Sequence, residues 1–209
     1  MKKVLALILV FVMCVGMCIS VCADESEFSR LGELKIIQGD QYGNWNLEKA
    51  VTRAELMQFA INSLNLRVAS SGSPDAGFND MNKHWAKNAV NTAVQMKLVE
   101  KSELFSPEGT VTVAEAIKMV VQIMGYEPMA TSMGGTEQAY IVIASQVGLT
   151  NGLTLSAESV ALRKDVASLI LNALDIPIMQ QTGFGEQPEF KIADGKDGGE
   201  KITLSDSFK

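Results

Sequence analysis

Arg53 is the side chain most plainly set to meet an anion. It stands in Val51-Thr52-Arg53-Ala54-Glu55, where Thr52 and Glu55 have the spacing of a capping box. The Thr hydroxyl accepts from the amide three residues on, and the Glu carboxylate accepts from the Thr52 amide. Arg53 therefore sits in the first turn of a helix, whose partial positive charge disfavours a cation there. Either a nearby acid such as Glu48 offsets that conflict, or an anion from outside does. Arg163 stands in a related stretch, Ala161-Leu162-Arg163-Lys164-Asp165, and is the second cation of this kind.

Other chemistry is sparse. His84 is the only histidine, which removes Ser-His-Asp and Cys-His arrangements and every multi-histidine metal site. No glycine-rich phosphate loop follows a strand, so nucleotide binding has no support. With 24 acidic residues, chance carboxylate pairs carry no weight as a glycosidase signal. No catalytic residue, metal or cofactor is expected.

The elements that position the two arginines recur. Trp45 precedes Thr52 at the distance at which Phe105 precedes Thr112, and Val51-Thr52-Arg53-Ala54-Glu55 runs in register with Val111-Thr112-Val113-Ala114-Glu115. Thr112 and Glu115 thus form a second capping box, while Val113 replaces the arginine. A third copy runs through Leu155-Ser156-Ala157-Glu158 to Asp165, with Leu162 in place of Thr. The copies are spaced 60 and 50 residues apart, within the range of repeat architectures. Each is followed by apolar residues at helical spacing: Leu56, Phe59, Ala60 and Leu64; Ile117, Val120, Val121 and Met124; Val166, Leu169, Ile170, Ala173 and Leu174. Pro177 stops the last of these helices.

Together with Phe78-Asn79-Asp80, His84-Trp85-Ala86 and Gly39-Asp40, these motifs resemble the S-layer homology (SLH) domains. The resemblance covers roughly residues 28–178. The first unit lacks the Phe-x-Asp and His-Trp segments, the second lacks the Arg, and the third lacks the Thr and the His-Trp. The resemblance implies an all-α fold, with three helix-loop-helix repeats forming one pseudo-threefold domain. It implies noncovalent binding of pyruvylated secondary cell-wall polysaccharide, with Arg53 and Arg163 meeting its carboxylate. Assembly with other S-layer proteins, or service as the anchor of a larger surface protein, is the alternative. Asp40, Asp80 and Trp85 are further ligand-contact candidates. Asp40 either accepts from its own turn backbone or contacts a sugar hydroxyl. Trp85 either packs into the core beside a locally bonded His84 or keeps one face open to stack on a sugar.

In chain order, Lys2 and Lys3 and the apolar run from Val4 to Val21 read as a signal peptide over 1–23, cleaved after Ala23, with a retained membrane anchor as the rival reading. All three cysteines (Cys14, Cys18 and Cys22) lie in it, so the mature chain has no thiol. Cleavage moves the formal charge from −6 to −8 by removing the two lysines. That balance argues against nucleic acid, which calls for a basic footprint. No membrane contact is expected after cleavage, and the place of action is the outer surface of a thick-walled bacterium. The units span 24–68, 78–126 and 135–178. A linker at 69–75, polar and flexible in composition, and a second linker at 127–135 separate them. Met57, Met96, Met119 and Met124 sit at core spacing. The glycine-broken 179–209 segment reads as a flexible tail, or as the start of a missing downstream domain.

Overall fold

The structure, a computed structural model, describes residues 27–185, 188–196 and 198–209. The expected cleavage point and the three cysteines lie outside the described residues. The chain runs through α1 (Ser29–Glu33), α2 (Arg53–Ser63), α3 (Lys87–Gln95) and α4 (Val113–Ile123). It continues through α5 (Glu127–Ser132), α6 (Glu137–Gln146) and α7 (Arg163–Ala173). Strands β1 (Met179–Gln181) and β2 (Phe190–Ile192) pair antiparallel near the C-terminus. The protein is mostly helical, in line with the expected all-α class.

The helix starts are knitted to one another. Val51 N–H donates to the Ala161 carbonyl (2.9 Å), Ala161 to Val111 (2.9 Å), and Val111 back to Val51 (3.1 Å), which closes a ring. The first helical amides repeat the step: Arg53 donates to Gly109, Val113 to Ser159 and Arg163 to Lys49, at 2.8–2.9 Å. Each helix N-terminus leaves amides without intrahelical partners, and here the preceding loop of a neighbouring segment accepts from them. Thr52 and Thr112 make both halves of their capping boxes with Glu55 and Glu115. Leu162 has no hydroxyl to offer. Asp165 nevertheless accepts from the Leu162 amide at 2.8 Å, and the Lys49 and Leu47 carbonyls hold the Arg163 and Lys164 amides. The start of α7 therefore stays in register without a threonine.

Eight of the eleven residues of α4 are buried, as befits a helix apolar on nearly all sides. It packs against α6, α7 and α2, while α3 lies on α2. Met57, Met119 and Met124 are buried as expected, but Met96 is 39% exposed. It caps the C-terminal end of α3, where the chain turns into the left-handed conformation at Lys97.

The two linkers and the C-terminal segment carry local structure. The 69–75 linker contains a 3₁₀ turn (Ala69–Gly72), and Ser73 shares a 2.7 Å hydrogen bond with Thr92. The 127–135 linker contains α5, with Pro128 in its first turn, where a missing N–H costs nothing. The C-terminal segment folds back on the helices. Met179 N–H donates to the Met124 carbonyl (2.9 Å), Ser205 N–H to Leu174 (3.1 Å), and Ile178 N–H to Ile202 (2.9 Å). Tyr126 O–H donates to the Pro177 carbonyl at 2.7 Å. Leu204, in a closing 3₁₀ turn (Leu204–Phe208), is buried, which contributes about 1.5–3 kcal/mol. Few apolar residues are present in this segment, but they lie where they can join the core already built by the helices. Gly125 makes the docking possible: its φ is +83°, and the Met179 carbonyl occupies the place of a side chain.

Candidate functional site

Arg53 lies at the rim of a cavity of about 440 Å³ between α2, α4 and the 97–105 loop. Its Nε donates to the Phe105 carbonyl at 2.9 Å, and its guanidinium carbon stands 5.0 Å from the centre of the Phe105 ring. Nη1 is 4.0 Å from Glu115 Oε1, and the side chain keeps 37% of its surface exposed. The conflict with the helix dipole is thus eased by Glu115. Glu48, the acid expected in that role, pairs instead with Lys164 at 2.8 Å. One edge of the guanidinium is anchored and the other faces the cavity. Lys97, Lys101 and Lys118 join Arg53 in the lining, against three acids, Glu100, Glu115 and Glu127. In a chain of net charge −6, this is a local excess of cations able to draw in an anion.

Asp80 acts on that site at one remove. Its carboxylate accepts from the Phe105 amide (3.0 Å) and the Ser106 amide (2.7 Å), which fixes the loop whose carbonyl holds Arg53. Burial opposes its ionisation, but the two amides outweigh burial and hold the carboxyl below the usual carboxylate range. Phe105 packs in turn on Phe78, with ring centres 5.6 Å apart. Asp40 realises the turn reading. It accepts from the Tyr42 and Asn44 amides at 2.9 and 3.0 Å and from the Asn44 and Asn46 side chains. Asn44, through side chain and backbone, is the main cause that lowers its pKa to about 2.

Arg163 is placed differently from Arg53. It is 8% exposed, with Nε donating to the Trp45 carbonyl (2.9 Å), Nη2 to Gln38 (3.1 Å) and Nη1 to Glu55 Oε1 (3.3 Å). The two arginines share the Nε-to-carbonyl contact, on Phe105 in one case and Trp45 in the other. The second one is consumed by its own surroundings because the 38–45 loop folds over it. Val113, at the matching position of α4, is buried and donates nothing from its side chain. Trp85 is 61% exposed and lies against the His84 ring. His84 Nδ1 accepts from the Ala86 amide at 3.2 Å, which leaves Nε2 to donate to Glu108 at 3.0 Å. Neither ring lines the Arg53 cavity, and Asp40 and Arg163 do not either. Trp45, half-buried, packs on Phe28 as Phe105 packs on Phe78. Phe28 is the aromatic that the first unit lacked on paper.

The lysines of the cavity form no pattern in the sequence because they come from separate segments. Lys118 alone left a trace, as the charge interrupting the apolar series of α4. Among the described residues, no group of three metal-ligating side chains converges, and no helix is long and apolar enough to cross a membrane.

Acidification tests these carboxylates. Asp40 and Asp80 both bind protons less readily in the folded chain, so any stability they contribute is complete above the ordinary value of about 3.9. It is lost as the pH falls through the lowered folded values. An NMR titration should find the Asp40 carboxyl half-protonated only at about pH 2. Between about pH 5 and about pH 2, stability should fall less steeply in Asp80→Asn than in the wild type. Equal slopes would mean that the Asp80 contacts do not persist in solution.

These features define a small helical module, knitted at its helix starts, with a cationic groove on one side. Residues 77–117, which hold Asp80, Trp85, Thr112 and Glu115, match the family model of the S-layer homology domain. It is 30% identical over 175 residues to the middle cell wall protein of Brevibacillus brevis, covering 80% of this chain and 16% of that protein. It is 27% identical over 179 residues to the surface layer protein of Brevibacillus choshinensis, covering 82% and 16%. A cell wall amidase of Bacillus anthracis, described as uncharacterized, is 26% identical over 120 residues, covering 57% and 22%. The chain thus spans about a sixth to a fifth of the length of these relatives.

Proposed function

We propose that this chain is a non-catalytic anchor that attaches noncovalently to secondary cell-wall polysaccharide on the outside of a thick-walled bacterium. In this reading the three units form one pseudo-threefold domain, and the groove at Arg53 receives a carboxylate of the polymer, such as that of a pyruvylated sugar. The observation that carries it is the half-tethered Arg53 guanidinium, 37% exposed at a cavity with three lysines in its lining. A carboxylate seated there gains charge-assisted hydrogen bonds from a fork already oriented by Phe105. Arg163 serves the fold in this scheme, and the groove beside Val113 is silent. The relatives named for cell wall and surface layer support the same location. The test is sedimentation of the purified protein with bacterial cell walls, before and after extraction of their polysaccharide. Co-sedimentation should be lost with the polysaccharide. Equal binding to stripped walls would overturn the reading.

A further inference from the structure

The C-terminal ribbon builds a second chamber beside the Arg53 groove. This cavity, also about 440 Å³, is lined by Met96, Gly125, Pro128, Met179, Gln181 and Phe190. Both cavities share Lys97, Leu98, Gln122 and Glu127 as lining, so they are two lobes of one furrow with Glu127 at the junction. The outer lobe presents Met96 and Phe190, each more than a third exposed, an apolar surface of the kind on which the flat face of a sugar ring packs. At the junction, Glu127 Oε1 accepts from the Tyr140 hydroxyl at 2.7 Å, while Oε2 is sheltered from solvent and has no donor among the described residues. A carboxylate oxygen in that state is costly, and a hydroxyl donor offsets the cost. The ribbon wall is fixed by the Met179–Met124 and Tyr126–Pro177 hydrogen bonds already described.

We propose that this outer lobe is an extension subsite, which takes the sugar residue next to the one whose carboxylate meets Arg53. Glu127 accepts a hydroxyl between the two, and Phe190 stacks on the outer ring. The proposal rests on the reading of the Arg53 groove, and it gives the segment after α7 a share in recognising polymer length.

The experiment is calorimetric titration of the full chain with two probes. One is wall polysaccharide extracted from Brevibacillus brevis, and the other is a synthetic pyruvylated monosaccharide. Phe190→Ala should weaken polymer binding about ten-fold, the effect of losing an aromatic contact face, and leave single-sugar binding within about two-fold. Gly125→Ala, which pushes the ribbon off the Met124 strand contact, should show the same split. Arg53→Ala should weaken both probes. Polymer binding unchanged in Phe190→Ala, with Arg53→Ala still impaired, would overturn the extension subsite and spare the groove. Failure of the wild type to bind either probe would overturn both.

Discussion

Arg53→Ala should weaken attachment to wall polysaccharide roughly ten-fold or more, with helical content unchanged. A charge-assisted hydrogen bond contributes about 1.5–3 kcal/mol, and about 1.4 kcal/mol is a factor of ten in affinity. The helix survives the change because the capping box of Thr52 and Glu55 involves no Arg53 side-chain atom. The Arg53 amide, which the substitution keeps, still donates to Gly109. The Phe105 carbonyl loses its partner, but Phe105 belongs to the cavity lining. Thr52→Ala is the contrasting variant: it should cost about 1 kcal/mol of stability and leave the affinity of the folded protein largely as it was. Wall polysaccharide bound as tightly by Arg53→Ala as by the wild type, with matching circular dichroism, would remove Arg53 from the site.

Arg163→Ala should instead destabilise the fold by about 3–5 kcal/mol, the usual cost of leaving a buried ionic partner alone. Its three nitrogens join the 38–45 loop to Glu55 on α2, and its guanidinium carbon stands 5.3 Å from the centre of the Phe59 ring. Removing it strands Glu55 Oε1 with Lys49 alone, and leaves the Trp45 and Gln38 carbonyls without that donor. Arg163→Lys keeps the charge but reaches only one of the three acceptors, so it should fall between. Urea denaturation measures both. A loss below about 1 kcal/mol for the alanine variant would place Arg163 in the ordinary range of surface substitutions. It would reopen its role as a ligand cation.

The capped helices were legible because their signals are local: a hydroxyl and a carboxylate three residues apart, followed by apolar residues at helical spacing. The family followed from the same motifs. The difference between Arg53 and Arg163 was not legible, since both follow the same local pattern. It arises from a neighbouring loop, closed over Arg163 through Gln38 and Trp45 and left open around Arg53. Trp85 posed the same difficulty, because an aromatic at a helix start reads alike whether it packs inward or faces water. The C-terminal segment failed for a different reason. Its composition is too poor to build a core, and composition cannot show that a few residues, such as Leu204 and Phe208, complete a core belonging to others. Phe28 was hidden by spacing, since it stands closer to Trp45 in sequence than Phe78 does to Phe105.

The ring of hydrogen bonds from Val51 to Ala161, from Ala161 to Val111 and from Val111 back to Val51 also sets an order of events during synthesis. The segment entering α2 leans on a carbonyl 110 residues downstream: the Thr52–Glu55 capping box can form locally, but the Val51 amide finds its partner only at Ala161. A nascent chain cannot reach its final arrangement until the segment around Ala161 has been made. Non-local closure of this kind is slow compared with helix formation. The chain therefore stays unlocked until its last third has been made.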